Sequence, residues 1–276
     1  MKKEFKKGLG IIGAIIALGL ILAGCSSSTS SDNSVKKIQD KGTLVVGTSA
    51  DYAPFEFPIV KNGKKQIVGY DMMIAQKIAD NLGVKLKIEN TEFPSLISEL
   101  KSNKVVLVLA GMVSTNERKK VVAFSKSYYT VKNVLLVQKK DANSFNTVAS
   151  VKGKQIGAQQ TTTQETIAKN QLKGSNVVTE GVLTGLTTEL IQGKLDGVVV
   201  ENEIADNYLK QFPGKYAIAK VTLNTPKEQR SVNVAARKND KELVKRVNKV
   251  ITKLQKNGEM TKMFKQAQEL QSKYGK

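Results

Sequence analysis

The sequence predicts an α/β protein of two lobes, each a mostly parallel sheet flanked by helices, with two strands crossing between them. Three observations lead to this. After about residue 35, short apolar strand-like runs alternate with segments of helical period, the pattern of repeated βα units. Two further strand-like runs, Asn133-Val134-Leu135-Leu136-Val137 and Val232-Asn233-Val234-Ala235-Ala236, bracket a central block with its own βα pattern, as an inserted lobe would. The loops after the strands are rich in Ser, Thr and Gly, and in parallel sheets ligands bind at those carboxyl ends.

The chain opens with Lys2, Lys3, Lys6 and Lys7, then an apolar stretch over 9–22 that ends in Leu22-Ala23-Gly24-Cys25. A basic head on a short apolar run reads as an export signal rather than a transmembrane helix. Leu-Ala-Gly-Cys resembles the lipobox of bacterial lipoproteins. That resemblance implies a signal peptide over 1–24, cleavage before Cys25 and lipidation of its thiol, with an uncleaved anchor as the alternative. Cys25 is the single cysteine, so no disulfide can form within the molecule. Residues 26–34 are polar and serine-rich, which predicts a flexible tether over 25–34 holding the body near the outer face of the membrane.

Of 276 residues, 44 are Lys or Arg and 24 are Asp or Glu, a formal charge of +20. The first 24 carry four Lys and one Glu, so the remainder keeps +17. Nucleic-acid binding is nevertheless excluded as a reading. The lysines are dispersed, aromatics are only 5%, and no nucleic-acid motif is present. The charge suits an anionic lipid or cell-wall surface instead. With no histidine and the lone cysteine assigned to lipid, neither a His/Cys metal site nor a histidine-based triad can be built. No metal or cofactor is expected.

Within the body, 44–47 reads as a strand. Asp71 is expected to cap a helix through Leu82, with Ile74, Ile78 and Leu82 on one face and Gly83 past its end. Residues 85–89 alternate as a half-exposed strand, and Pro94-Ser95 opens a helix. Strands are expected over 105–109, 155–158 and 197–200. Helices are expected from about Thr163, over 186–191, through Tyr208 and over 242–254. The run 105–109 is β-branched and apolar, and it ends in Ala110-Gly111, small residues that permit close approach. Ser114 or Thr115 can then cap a short turn carrying Arg118. Arginine is scarce here, with only Arg118, Arg230, Arg237 and Arg246 among the 44 basic residues. A planar fork grips a carboxylate as lysine cannot. A surface or interdomain ion pair is the alternative role.

Several stretches, in order, carry a resemblance over about 42–269. They are Gly47-Thr48-Ser49-Ala50-Asp51-Tyr52-Ala53-Pro54-Phe55-Glu56-Phe57, Val68-Gly69-Tyr70-Asp71, Phe93-Pro94-Ser95-Leu96-Ile97, and Ala110-Gly111-Met112 leading to Glu117-Arg118-Lys119-Lys120. Phe124-Ser125 with Tyr128-Tyr129, Thr162-Thr163-Gln164-Glu165, and 193–201 (Gly-Lys-Leu-Asp-Gly-Val-Val-Val-Glu) complete them. Together they resemble the solute-binding lipoproteins of polar amino-acid ABC importers, which have the type II periplasmic-binding-protein fold.

The resemblance implies lobe 1 over 35–131 and 229–276, and lobe 2 over 132–228. It implies a monomer that closes on a free amino acid and delivers it to permease subunits driven by a cytoplasmic ATPase. It puts Arg118 on the ligand carboxylate, Thr162 and Thr163 as a second anion site, and Glu201, usually aspartate, on the ammonium. Ala110 and Met112 would turn backbone groups to the ligand, and Tyr52 and Phe93 would sandwich its side chain. Gln159, with Ser49, would favour a polar side chain, while the positive body disfavours a basic one. Val113 stands for a common hydroxyl residue, Thr161 for glycine, Val106 for an acidic residue and Ser127 for proline. Two other classes stay open: a receptor or adhesin on the same fold, and a dehydratase using Glu201 or Glu203 as acid or base.

Overall fold

The computed structural model describes residues 32–275, so the expected signal peptide, Cys25 and most of the tether lie outside the described residues. The last tether residues belong to the fold. Asp32 accepts a hydrogen bond from the Glu242 N–H, and the Ser34 hydroxyl accepts one from the Leu243 N–H.

The chain enters through α1 (Ser34–Lys41) and β1 (Thr43–Thr48), then makes a hairpin of β2 (Phe57–Lys61) and β3 (Lys64–Val68). It continues as α2 (Tyr70–Leu82), β4 (Lys85–Asn90), α3 (Leu96–Lys101), β5 (Leu107–Val108), α4 (Asn116–Val121) and β6 (Val122–Thr130). A second sheet follows, from β7 (Asn133–Gln138), β8 (Gln155–Gln159), α5 (Thr163–Gln171), β9 (Asn176–Glu180), α6 (Leu183–Ile191), β10 (Gly197–Glu201), α7 (Asn202–Gln211) and β11 (Tyr216–Ile218). The chain returns to the first sheet as β12 (Ser231–Arg237) and ends in α8 (Lys241–Lys256) and α9 (Glu259–Tyr274).

Strand order is β4-β1-β5-β12-β6 in the first sheet and β11-β7-β10-β8-β9 in the second. In each, four strands share a direction and one opposes them, β12 in the first and β7 in the second. These are the two runs that the sequence marks as crossing strands. The reversal follows from connectivity. The other strands of the second sheet run toward the first with their carboxyl ends, whereas β7 starts from that side, two residues after β6.

Local chemistry explains the elements that hold the site. In α2, Ile74, Ile78 and Leu82 are buried, and Gly83 closes the helix at φ +72° with its N–H on the Ala79 and Asp80 carbonyls. The helix begins two residues earlier than expected, with Gly69 rather than Asp71 at the N-cap position. Gly69 sits at φ +132°, and a Cβ there would lie 2.1 Å from the Phe55 carbonyl oxygen. Asp71 is therefore not the cap but a fully buried side chain in the first turn. The apolar run 105–109 forms only a two-residue ladder at β5. Hydrogen bonds from the Val106 N–H to the Val45 carbonyl (2.8 Å) and the Leu109 N–H to the Gly47 carbonyl (3.1 Å) flank it.

Candidate functional site

The carboxyl ends of β1, β5, β8 and β10 converge on one cavity between the two sheets. Ser49, Asp51 and Tyr52 reach it from the loop after β1, and Glu56 from the residue before β2. Phe93, Ala110, Gly111, Val113 and Arg118 complete the first sheet's side. Gln159, Thr162, Thr163, Gln164 and Glu201 face them from the second.

Arg118 is placed by a local cap. The Thr115 hydroxyl accepts the Arg118 N–H at 3.2 Å and starts α4, as a Thr N-cap should. The guanidinium is 9% exposed, lies 5.1 Å from the Phe93 ring centre, and forms no ion pair among the described residues. Its Nη1 donates to the Val113 carbonyl (2.7 Å) and its Nη2 crosses between the sheets to the Thr161 carbonyl (2.8 Å). Burial pushes its pKa down to about 10, with Glu201 pulling the other way. A buried cation satisfied only by carbonyls is ready to accept an anion.

The facing half is also locally determined. The Thr162 hydroxyl accepts the Glu165 N–H (3.2 Å) to start α5, and donates to the Gln159 carbonyl (2.6 Å). A helix N-terminus beside Arg118 favours negative charge. Thr161, just before it, takes φ +63°, a conformation suited to glycine and costly for a β-branched residue. Gln159 donates to Asp51 (3.1 Å) and to the Gly181 carbonyl (2.9 Å). Glu201 is 2% exposed. Oε1 accepts from Gln164 Nε2 at 3.2 Å, and Oε2 has no partner among the described residues. Burial, reinforced by Glu203, pushes its pKa up to about 8 despite that bond.

Three further acidic residues, none of them expected in the site from the sequence, lie in or behind its wall. Asp51 accepts from the Leu183 N–H at the start of α6 (2.6 Å), yet burial raises its pKa to about 6. Glu56 is fully buried, neither of its oxygens has a protein donor, and burial with the charge of Asp71 raises its pKa well above the carboxylate range. Asp71 lies behind it, accepting from the Gly111 N–H (2.8 Å) and the Tyr128 hydroxyl (2.7 Å), and burial raises its pKa to about 6. The available signal was Phe55-Glu56-Phe57, an acid between two aromatic residues.

Of the expected residues, Tyr52, Phe93, Ala110, Arg118, Gln159, Thr162, Thr163 and Glu201 share the cavity wall. Met112 does not. Its side chain is buried with Leu96, Leu100 and Val108, and its carbonyl accepts the Asn233 N–H of β12 at 3.0 Å. The place of Val113 in the site rests on its carbonyl, so loss of a side-chain hydroxyl leaves the Arg118 contact intact.

Two sheets meeting over a polar cavity, with one guanidinium that forms no ion pair among the described residues and an excess of acids, define a binding protein for a small charged molecule. Residues 44–268 match the bacterial extracellular solute-binding proteins, family 3, and the chain belongs to that family. It is 36% identical over 246 residues to the arginine-binding extracellular protein ArtP of Bacillus subtilis, covering 88% of this chain and 91% of that one. It is 33% identical over 195 residues to a probable histidine-binding protein of Campylobacter jejuni, covering 71% and 74%. It superposes with TM-score 0.81 and 38% identity on the amino acid ABC transporter substrate-binding protein AbpA of Streptococcus pneumoniae bound to L-arginine, covering 85% and 98%.

Proposed function

We propose that this chain captures an amino acid with a cationic side chain, of the arginine type, and delivers it to the permease of an ABC importer. The observation that carries this reading is the charge balance of the cavity wall, with Asp51, Glu56 and Glu201 against Arg118 alone. An amino acid with a neutral side chain brings one cation and one anion. A basic one brings two cations and one anion, which matches the surplus of acids.

In this reading Arg118 and the start of α5 take the carboxylate, and Glu201 takes the ammonium. Glu56 and Asp51 face the side-chain cation between Tyr52 and Phe93. The polar side chain expected from Ser49 and Gln159 thereby becomes a basic one. The positive body does not oppose this, because exposed lysines more than about 8 Å away are screened by salt whereas buried carboxyls are not. The arginine and histidine named for the relatives agree with it.

Residues 35–131 with 229–276, and 132–228, act as two lobes that close by hinge bending. Four cross-sheet hydrogen bonds support a closed form: Arg118 to Thr161, Asp51 to Leu183, Asp51 to Gln159, and Tyr129 to Glu203 at 3.2 Å. The ligand favours closure through contacts to both lobes at once. The protein acts as a monomer, held to the outer face of the membrane by a lipid on Cys25.

Thermal-shift and calorimetric screening of the full chain against the protein amino acids and cystine tests the ligand class. L-Arginine, L-lysine and L-histidine should give the largest shifts. Equal or larger shifts with glutamine or glutamate would refute the basic-ligand assignment.

A further inference from the structure

Glu56 and Asp71 form a buried carboxyl pair that transport by itself does not require. Both side chains are fully buried and adjacent, since the Asp71 N–H donates to the carbonyl of Phe55, the chain neighbour of Glu56, at 2.9 Å, and neither forms an ion pair among the described residues. Three of their four oxygens, both of Glu56 and Oδ1 of Asp71, have no protein donor. The fourth, Asp71 Oδ2, is saturated by the Gly111 N–H and the Tyr128 hydroxyl. Two contiguous carboxylates without a cation cannot both ionise, so one proton must be shared between them. The two donors on Asp71 stabilise its anion, which leaves the proton on Glu56, the member that lines the cavity.

The remaining titratable groups around the pair reinforce this. Asp51 and Tyr52 face it from the loop after β1, Tyr70 from α2, Tyr128 from β6 and Glu201 from β10. Arg118 shares the cavity, but its fork is held by the Val113 and Thr161 carbonyls. The surroundings of Glu56 are therefore acidic or neutral. Glu56 and Asp71 both belong to the first sheet's half, so opening of the cleft leaves the pair intact. Glu201 instead belongs to the second sheet's half, at the end of β10.

We propose that capture of a cationic side chain displaces the proton shared by Glu56 and Asp71, so that binding at this site releases a proton to solvent. The incoming cation becomes the counter-charge that the pair lacks. Glu56 then ionises, and the O–H bond it gives up is the one broken. This rests on the basic-ligand reading above and adds to it a pH dependence: affinity for a basic amino acid should rise with pH, whereas affinity through this pair for a neutral one should not.

The test is calorimetric titration of the full chain with L-arginine at pH 6.5 in buffers of different ionisation heat, whose slope counts protons released. Glu201→Gln should still release close to one proton per arginine, and Glu56→Gln one fewer than the unsubstituted chain. Between pH 5 and 7, the pair should contribute about a tenfold gain in arginine affinity per pH unit. If Glu56→Gln binds arginine too weakly to titrate, infrared difference spectra of the unsubstituted chain and of Glu201→Gln decide. Loss of a protonated-carboxyl band on adding arginine, in both, supports the proposal. Arginine binding without proton release, or release abolished by Glu201→Gln alone, overturns it. Absence of any arginine binding would instead overturn the ligand class.

Discussion

The two walls of the cavity are built differently. The first sheet's wall carries the guanidinium, Asp51, Glu56 and both aromatic rings; most of its parts are fixed by contacts within that half, while Asp51 and one Arg118 nitrogen also bond across the cleft. Arg118 is held by Thr115, Val113 and Phe93, and Asp71 by Gly111 and Tyr128. The second sheet's wall supplies amides, hydroxyls and one acid, Glu201, whose donor Gln164 lies in the same half, and it reaches the first wall through Gln159, which donates to Asp51. The first wall is thus prebuilt for charge, and the second completes the site on closure. Removing groups from the first should change affinity directly. Removing groups that bridge the walls should change how readily the cleft closes.

The largest effect is expected for Arg118→Ala. It leaves a ligand carboxylate buried without a cation, so calorimetry should show a loss of about 3–5 kcal/mol for L-arginine. Retained affinity would mean that the first wall does not hold the carboxylate. Asp51→Ala should cost less, about 1–2 kcal/mol, because it removes hydrogen bonds to Leu183 and Gln159 across the cleft. Small-angle scattering with saturating arginine should then detect a larger open fraction than in the unsubstituted chain.

The pH dependence of folding separates the walls further. Asp51 and Asp71 hold protons in the fold up to about pH 6, and Glu201 up to about pH 8, above the ordinary carboxylate values. Their contribution is fully present below the unfolded pKa of roughly 4 and is lost as pH rises through those folded values. The melting temperature of the ligand-free chain should therefore fall between pH 5 and 8, less steeply in Glu201→Gln. The smallest effect is expected at Thr161, where glycine relieves the φ +63° backbone and should stabilise the chain by about 1 kcal/mol in denaturant unfolding.

Much of this was readable in the sequence because it is local. The strands β1, β4 and β10, the helix faces of α2 and α8, the Thr115 cap and the Thr162 cap each depend on a few neighbouring residues. The features that local sequence does not reveal depend on distant partners. Asp71 has good cap chemistry, but its donors are 40 and 57 residues away, and burial overrides the local preference. Glu56 sits between aromatic residues, but nothing nearby in sequence tells that it packs against Asp71. Met112 lies within a recognisable motif, yet its carbonyl is taken by β12. The β2–β3 hairpin is one further local element. Asn62-Gly63, at φ +53° and +72°, is the turn chemistry such hairpins favour, hidden among surrounding lysines.

The central claim is that guanidinium and acids on opposing walls hold a basic amino acid by its own charges. Its most direct test is calorimetric titration of the full chain with L-arginine and with L-arginine amide, which lacks the carboxylate. Arginine should bind at least about a hundredfold more tightly than the amide, and Arg118→Ala should erase most of that difference. Equal affinity for the two, in the unsubstituted chain, would contradict it.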